Sequence, residues 1–87
     1  MCNTYLVTGR VQGVFYRASA REQADKLGLR GWVRNLPDGR VETYACGDSE
    51  RVAEYERWLR SGPPLAKVST IEIAVSCCTE IEGFEIR

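Results

Sequence analysis

Gly9-Arg10-Val11-Gln12-Gly13-Val14-Phe15-Tyr16-Arg17 joins a strand exit, a glycine-relaxed loop and an arginine at the start of a helix. Glycines at 9 and 13 let the backbone take positive φ, so that successive N–H groups can converge on one point. A helix beginning near Phe15 adds its unpaired N–H groups and the positive end of its dipole. Arg17, in the first turn, then offers a planar two-pronged donor to a phosphate, sulfate or carboxylate. The same residues also suit a plain strand-to-helix turn with a solvated arginine after it. No Gly-Lys-Ser/Thr follows and no Gly-x-Gly-x-x-Gly is present, so a small anion fits the loop better than a nucleotide.

The surrounding elements must position that loop. Asn3 to Thr8 alternates as a half-buried strand, with Tyr5 and Val7 inward. From Tyr16 to Leu27 the apolar residues Tyr16, Ala20, Ala24 and Leu27 recur at helical spacing, and Gly28 supplies an end signal. Gly31 to Leu36 and Arg40 to Cys46 read as a hairpin around Pro37-Asp38-Gly39. Asp48 or Ser49 can cap a second helix with the stripe Val52, Tyr55 and Leu59, stopped by Gly62-Pro63-Pro64. Lys67 to Cys78 alternates again with Ile71, Ile73 and Val75 inward, and Phe84-Glu85-Ile86 can return as an edge strand.

The order β-α-β-β-α-β predicts one α+β domain over residues 1–87: a ferredoxin-like α/β sandwich whose antiparallel sheet, in order 4-1-3-2, carries both helices on one face. In that order the exit of the first strand and the end of the second lie at one end of the sheet, which brings Arg34 and Asn35 within reach of the 9–17 loop. The other face, with Thr4, Leu6, Glu42 and Tyr44, is expected to be open. It carries too few cations and aromatics for an RNA-stacking platform.

Twelve Lys plus Arg balance twelve Asp plus Glu, so no global field draws nucleic acid or an anionic membrane, and neither is expected as a partner. No leader pattern and no spanning apolar run are present, and the chain is read as cytoplasmic and monomeric. There is no histidine, which removes the commonest general base and zinc ligand together. Cys2, Cys46, Cys77 and Cys78 contain no Cys-x-x-Cys pair, so no metal and no cofactor is expected. The first and third strands being antiparallel neighbours, Cys2 should face Cys46 on the open face, where a disulfide would close a loop of about 45 residues. Cys78 can project to the same face from the other side, which leaves the partner of Cys2 open.

Gly9 to Arg17, together with Gly31-Trp32-Val33-Arg34-Asn35 and Asp38-Gly39-Arg40-Val41-Glu42, resembles the two signatures of the acylphosphatase family, and the likeness runs over nearly the whole chain. The resemblance implies hydrolysis of the carboxyl-phosphate bond of acyl phosphates to a carboxylate and inorganic phosphate. It implies that the loop Gln12, Gly13, Val14, Phe15, Tyr16 and Arg17 cradles the phosphoryl group, with Arg17 binding it and Asn35 orienting the attacking water. Tyr16 departs from the family's more common phenylalanine, and facing the core it should require only a small packing adjustment. The alternative reading is a non-catalytic module that holds a small anion, which would keep Arg17 but not require Asn35. Arg10 and Arg34 read as solvated surface, Trp32 and Trp58 as packing residues, and Asp38 and Glu42 as too exposed for an acid/base pair.

Overall fold

The computed structural model describes residues 1–87 as β1 (Cys2–Arg10), α1 (Tyr16–Lys26), β2 (Arg30–Asn35), β3 (Val41–Cys46), α2 (Ser49–Ser61), β4 (Lys67–Val75) and β5 (Phe84–Ile86). The sheet runs β4-β1-β3-β2-β5. The expected order 4-1-3-2 is therefore present, and β5 extends it. β5 lies parallel to β2, with Gly31 opposite Phe84 and Val33 opposite Ile86, so the sheet is not wholly antiparallel.

Register explains the core. Val7 pairs with Val41, and Val41 with Asn35, which lays one row across β1, β3 and β2 on the helix-covered face. Tyr5, Val7, Val33, Val41 and Ala45 meet Ala20, Ala24, Val52, Tyr55 and Leu59 there, all fully buried. Two hydroxyls are buried with them: Thr43 Oγ1 donates to the Trp32 carbonyl at 2.9 Å and lies 2.8 Å from the Tyr55 hydroxyl. Burial pushes the Tyr55 phenol far up from its ordinary value.

Local chemistry sets the helix ends. Gly28 donates to the Asp25 carbonyl and Leu29 to the Ala24 carbonyl, the paired bonds of a Schellman ending. Asp48 caps α2, its carboxylate accepting from the Glu50 N–H at 2.9 Å. At the other end of α2 the Leu59 carbonyl, one of the last with no partner in its own helix, accepts the Tyr16 hydroxyl at 2.7 Å.

Three expectations need correction. β4 stops at Val75 instead of Cys78. Ile73 and Val75 lie on the helix side, opposite Tyr5 and Asn3, yet they are 43% and 86% exposed, because the helices do not cover that end of the edge strand. The other face is not fully open either. The chain between β4 and β5 crosses it, and Tyr44 is buried there with Cys2 and Cys46 against Trp32 and Ile81. The Tyr44 hydroxyl donates to the Cys77 carbonyl at 2.9 Å and accepts from the Thr79 N–H at 3.1 Å.

Candidate active site

Between β1 and α1 the loop is anchored through two side chains and opened by two backbone angles. Val11 and Val14 are buried in the main core. Gly13 takes φ 74° and Phe15, at the helix N-cap, takes φ 64° and ψ 23°, both left-handed. A Cβ at Gly13 would meet nothing within 4 Å, so glycine serves the angle and not the space. Phe15 is the one non-glycine residue with positive φ in the chain, a conformation that costs roughly 1–2 kcal/mol. Left- and right-handed residues in succession turn consecutive N–H groups toward one concave side. No protein carbonyl accepts from the backbone N–H groups of Gly13 through Ala18.

Arg17 projects from the first turn of α1 and is partly buried. The ion pairs of the fold engage Arg21, Lys26, Arg34, Arg40, Arg60 and Arg87, and Arg17 is in none of them. A cation with no carboxylate beside it therefore adjoins a run of amides with no acceptor. Gly13, Phe15 and Arg17 line one cavity of about 280 Å³ together with Ala18 and Ile86. Arg17 is the charged group of this lining, and Phe15, Ala18 and Ile86 are its apolar side chains. Arg34 is committed elsewhere: its Nε donates to Glu42 Oε1 at 2.7 Å, and its guanidinium lies 5.3 Å from the centre of the Trp32 ring.

Asn35 ends β2, at the same end of the sheet as the loop because β1 and β2 both run antiparallel to β3. Gln12 makes the link: its Nε2 donates to the carbonyls of Leu36 at 2.8 Å and Arg40 at 3.0 Å. The residue after Asn35 is thus held against the loop's first polar residue. Asn35 Oδ1 is buried and has no hydrogen-bond donor. An unpaired buried amide oxygen is uncommon and disfavoured by about 1–3 kcal/mol unless something donates to it.

The family model described as Acylphosphatase matches residues 3–86. The chain belongs to the acylphosphatase family. It is 50% identical over 86 residues to an acylphosphatase from Nitrosococcus oceani, covering 99% of this chain and 97% of that protein. It also superposes on the structure of an acylphosphatase from Coxiella burnetii with a TM-score of 0.95 at 41% identity, covering 99% of this chain and 90% of that one. The crystal structure of acylphosphatase from Bacillus subtilis gives 0.95 at 37% identity.

Within this acylphosphatase fold the six residues from Gln12 to Arg17 form one segment, and Gln12 bonds the carbonyl of Leu36, the residue after Asn35. Two contributions escaped sequence reasoning. The Gln12 side-chain amide is occupied by the hairpin; a glutamine bonding carbonyls 24 and 28 positions away leaves no local signal. Ile86 reaches the cavity because β5 runs parallel to β2, and the Phe-Glu-Ile pattern gave the strand without its partner. Tyr16 does face the core, and beyond packing it caps α2.

At the far end of the sheet, Cys2 lies directly opposite Cys46, and the Sγ atoms of Cys2, Cys46 and Cys78 all lie within 4.8 Å of one another. Cys2 therefore lies within disulfide reach of both Cys46 and Cys78, the Cα separations being 4.1 Å and 5.4 Å.

Proposed function

We propose that the chain hydrolyses the carboxyl-phosphate bond of acyl phosphates, with the Gln12–Arg17 loop and Arg17 holding the phosphoryl group and Asn35 orienting the water. The observation that carries this reading is the unpaired Arg17 guanidinium beside the free amides of Gly13 through Ala18. Backbone N–H groups, the start of α1 and a two-pronged guanidinium together match the three non-bridging oxygens of a phosphoryl group.

The chemistry asks little more of the protein. The leaving group departs as a carboxylate whose conjugate acid has a pKa of about 4–5, so it needs no general acid. Phosphoryl transfer then depends on position and charge: donors neutralise the non-bridging oxygens while water approaches in line with the departing oxygen. In this reading the Asn35 side chain, whose Oδ1 has no donor within the fold, turns toward the water, accepts a hydrogen from it and so fixes the direction of its lone pair. An amide is too weak a base to keep the proton, which passes to the phosphate oxygen. The reaction as written requires no metal or cofactor, and inorganic phosphate, the product, occupies the same cradle.

The same reading has residues 1–87 working as one acylphosphatase-like domain, a monomer in the cytoplasm with no nucleic-acid partner. In support, the loop, Arg17 and Asn35 all come from one chain. The test compares acetyl phosphate with glycerol phosphate, whose alkoxide leaving group would need an acid that this site lacks. Turnover of the first alone, inhibited competitively by inorganic phosphate, is expected. Phosphate binding without any turnover of acetyl phosphate would show a module that only holds the anion.

A further inference from the structure

Cys2, Cys46 and Cys78 come from β1, β3 and the segment after β4, and the fold gathers their sulfurs within 4.8 Å of one another. The placement is held from several sides. Cys46 is the cross-strand partner of Cys2. Ser76 donates its N–H to the Cys2 carbonyl at 2.9 Å, and Tyr44 grips the Cys77 carbonyl and the Thr79 N–H, so that Cys78 is fixed between bonded neighbours. Cys2 adjoins both other cysteines as a disulfide partner, and a sulfur can hold only one such bond at a time. Whichever bond exists, the third cysteine is left as a thiol next to it.

Exposure separates the three. Cys2 and Cys46 are buried beside Trp32, Tyr44 and Ile81, whereas Cys78 is exposed. Thiolates at both Cys2 and Cys46 would be costly in that apolar setting, while a neutral disulfide suits it. A buried disulfide is also hard to attack directly, since exchange requires access to a sulfur.

We propose that these residues form a thiol–disulfide exchange site in which exposed Cys78 reacts with low-molecular-weight disulfides and passes the bond through Cys2 to buried Cys46. In the first step the Cys78 thiolate attacks a disulfide RSSR, forming Cys78–SR and releasing RS⁻. The Cys2 thiolate then attacks the Cys78 sulfur, expelling the second RS⁻ and forming Cys2–Cys78. Finally the Cys46 thiolate attacks the Cys2 sulfur, forming Cys2–Cys46 and returning Cys78 as a thiolate. One RSSR is reduced to two thiols while two protein thiols are oxidised to one disulfide. Reduction by an external thiol follows the same steps in reverse. Transient bonds of this kind are the usual form of disulfides in reducing compartments.

The test uses the full chain carrying Cys77→Ser, which removes the neighbouring exposed thiol, treated with oxidised glutathione, quenched in acid and mapped after trypsin. Cleavage at Arg and Lys leaves Cys2, Cys46 and Cys78 on three different peptides. Both linkages, Cys2–Cys46 and Cys2–Cys78, are expected in the oxidised protein. Adding Cys2→Ser should trap glutathione on Cys78, and adding Cys78→Ser should slow formation of Cys2–Cys46 by about tenfold or more. Circular dichroism of each reduced variant checks that it folds. Oxidation of the Cys78→Ser protein at an undiminished rate, glutathione on Cys46 instead of Cys78, or a single linkage that never exchanges would each overturn the relay.

Discussion

The side-chain amide of Gln12 donates to the Leu36 carbonyl at 2.8 Å, tying the loop after β1 to the residue that follows Asn35. The same nitrogen also reaches the Arg40 carbonyl, so one side chain spans both arms of the β2–β3 turn. Gln12→Ala removes both bonds and is expected to lower stability by about 1–3 kcal/mol. The spacing between loop and Asn35 loosens with it, and misplacement of about 1 Å can cost up to 10²-fold in rate. In steady-state kinetics kcat should therefore fall while inhibition by inorganic phosphate changes little, because the loop backbone and Arg17 remain. An unchanged kcat would mean that the link does not align the site.

Arg17→Ala should lower kcat/KM for acetyl phosphate by about 10³-fold or more and abolish competitive inhibition by phosphate. Arg17→Lys keeps the charge but loses the two-pronged geometry, so it should recover only part of the loss. Calorimetric titration with phosphate, alongside a thermal melt, separates lost binding from lost fold.

For Asn35 the split is different. Asn35→Ala is expected to lower kcat by about 10²–10³-fold while phosphate affinity stays within a few-fold of the native chain. Its Oδ1 is unpaired in the fold, so removing it breaks no internal bond and the melting temperature should not drop. Normal turnover in this variant would refute the role with the water.

The Tyr16 hydroxyl closes an otherwise open carbonyl at the end of α2, and it takes no part in the reaction. Tyr16→Phe, the residue more usual in the family, should lower stability by about 1 kcal/mol, or roughly 4–8 °C in Tm for a domain of this size, with kcat unchanged. Differential scanning calorimetry measures it.

Without histidine, the chain has no side chain whose ordinary pKa falls between about pH 5 and 8, so the kcat profile should follow only the ionisation of the substrate there. The acid side behaves differently. The Arg40 N–H and guanidinium hold the Asp38 carboxyl below its ordinary value of 3.8. A carboxylate with a depressed folded pKa stabilises the fold above its unfolded value and ceases to do so as pH falls through the folded one. The turn gripped by Gln12 should therefore loosen below about pH 3.8, and Asp38→Asn should flatten the acid limb of a Tm–pH curve.

Much of this was readable because the signals are local. Alternation identified β1 and β4, Pro37-Asp38-Gly39 marked the hairpin of β2 and β3, Gly28 and Asp48 marked helix ends, and the glycines at 9 and 13 marked a loop suited to an anion. What could not be read depends on contacts made across the fold. Alternation tells which side Ile73 and Val75 face, but not whether a helix reaches far enough to cover them. The burial of Tyr44 depends on where the chain passes between β4 and β5, and three residues at β5 are too few to choose a parallel partner. The Asn35 side chain was singled out through the resemblance, whereas the isolation of its Oδ1 is a property of the packed hairpin.

β1 lies at the centre of the sheet, and its pairings join Val7 to Val41 on one side and Asn3 to Val75 on the other. Contacts so far apart along the chain close large loops before they return any stability, and domains built on them fold slowly. Nothing local fixes the segment from Val11 to Phe15; it is carried into place by β1 and clasped by a hairpin formed elsewhere. A chain with both helices formed but the sheet unpaired thus has no site at all. Hydrolytic competence arrives at the end of folding and reports on the whole molecule, not on the segment from Gln12 to Arg17 and Asn35 alone.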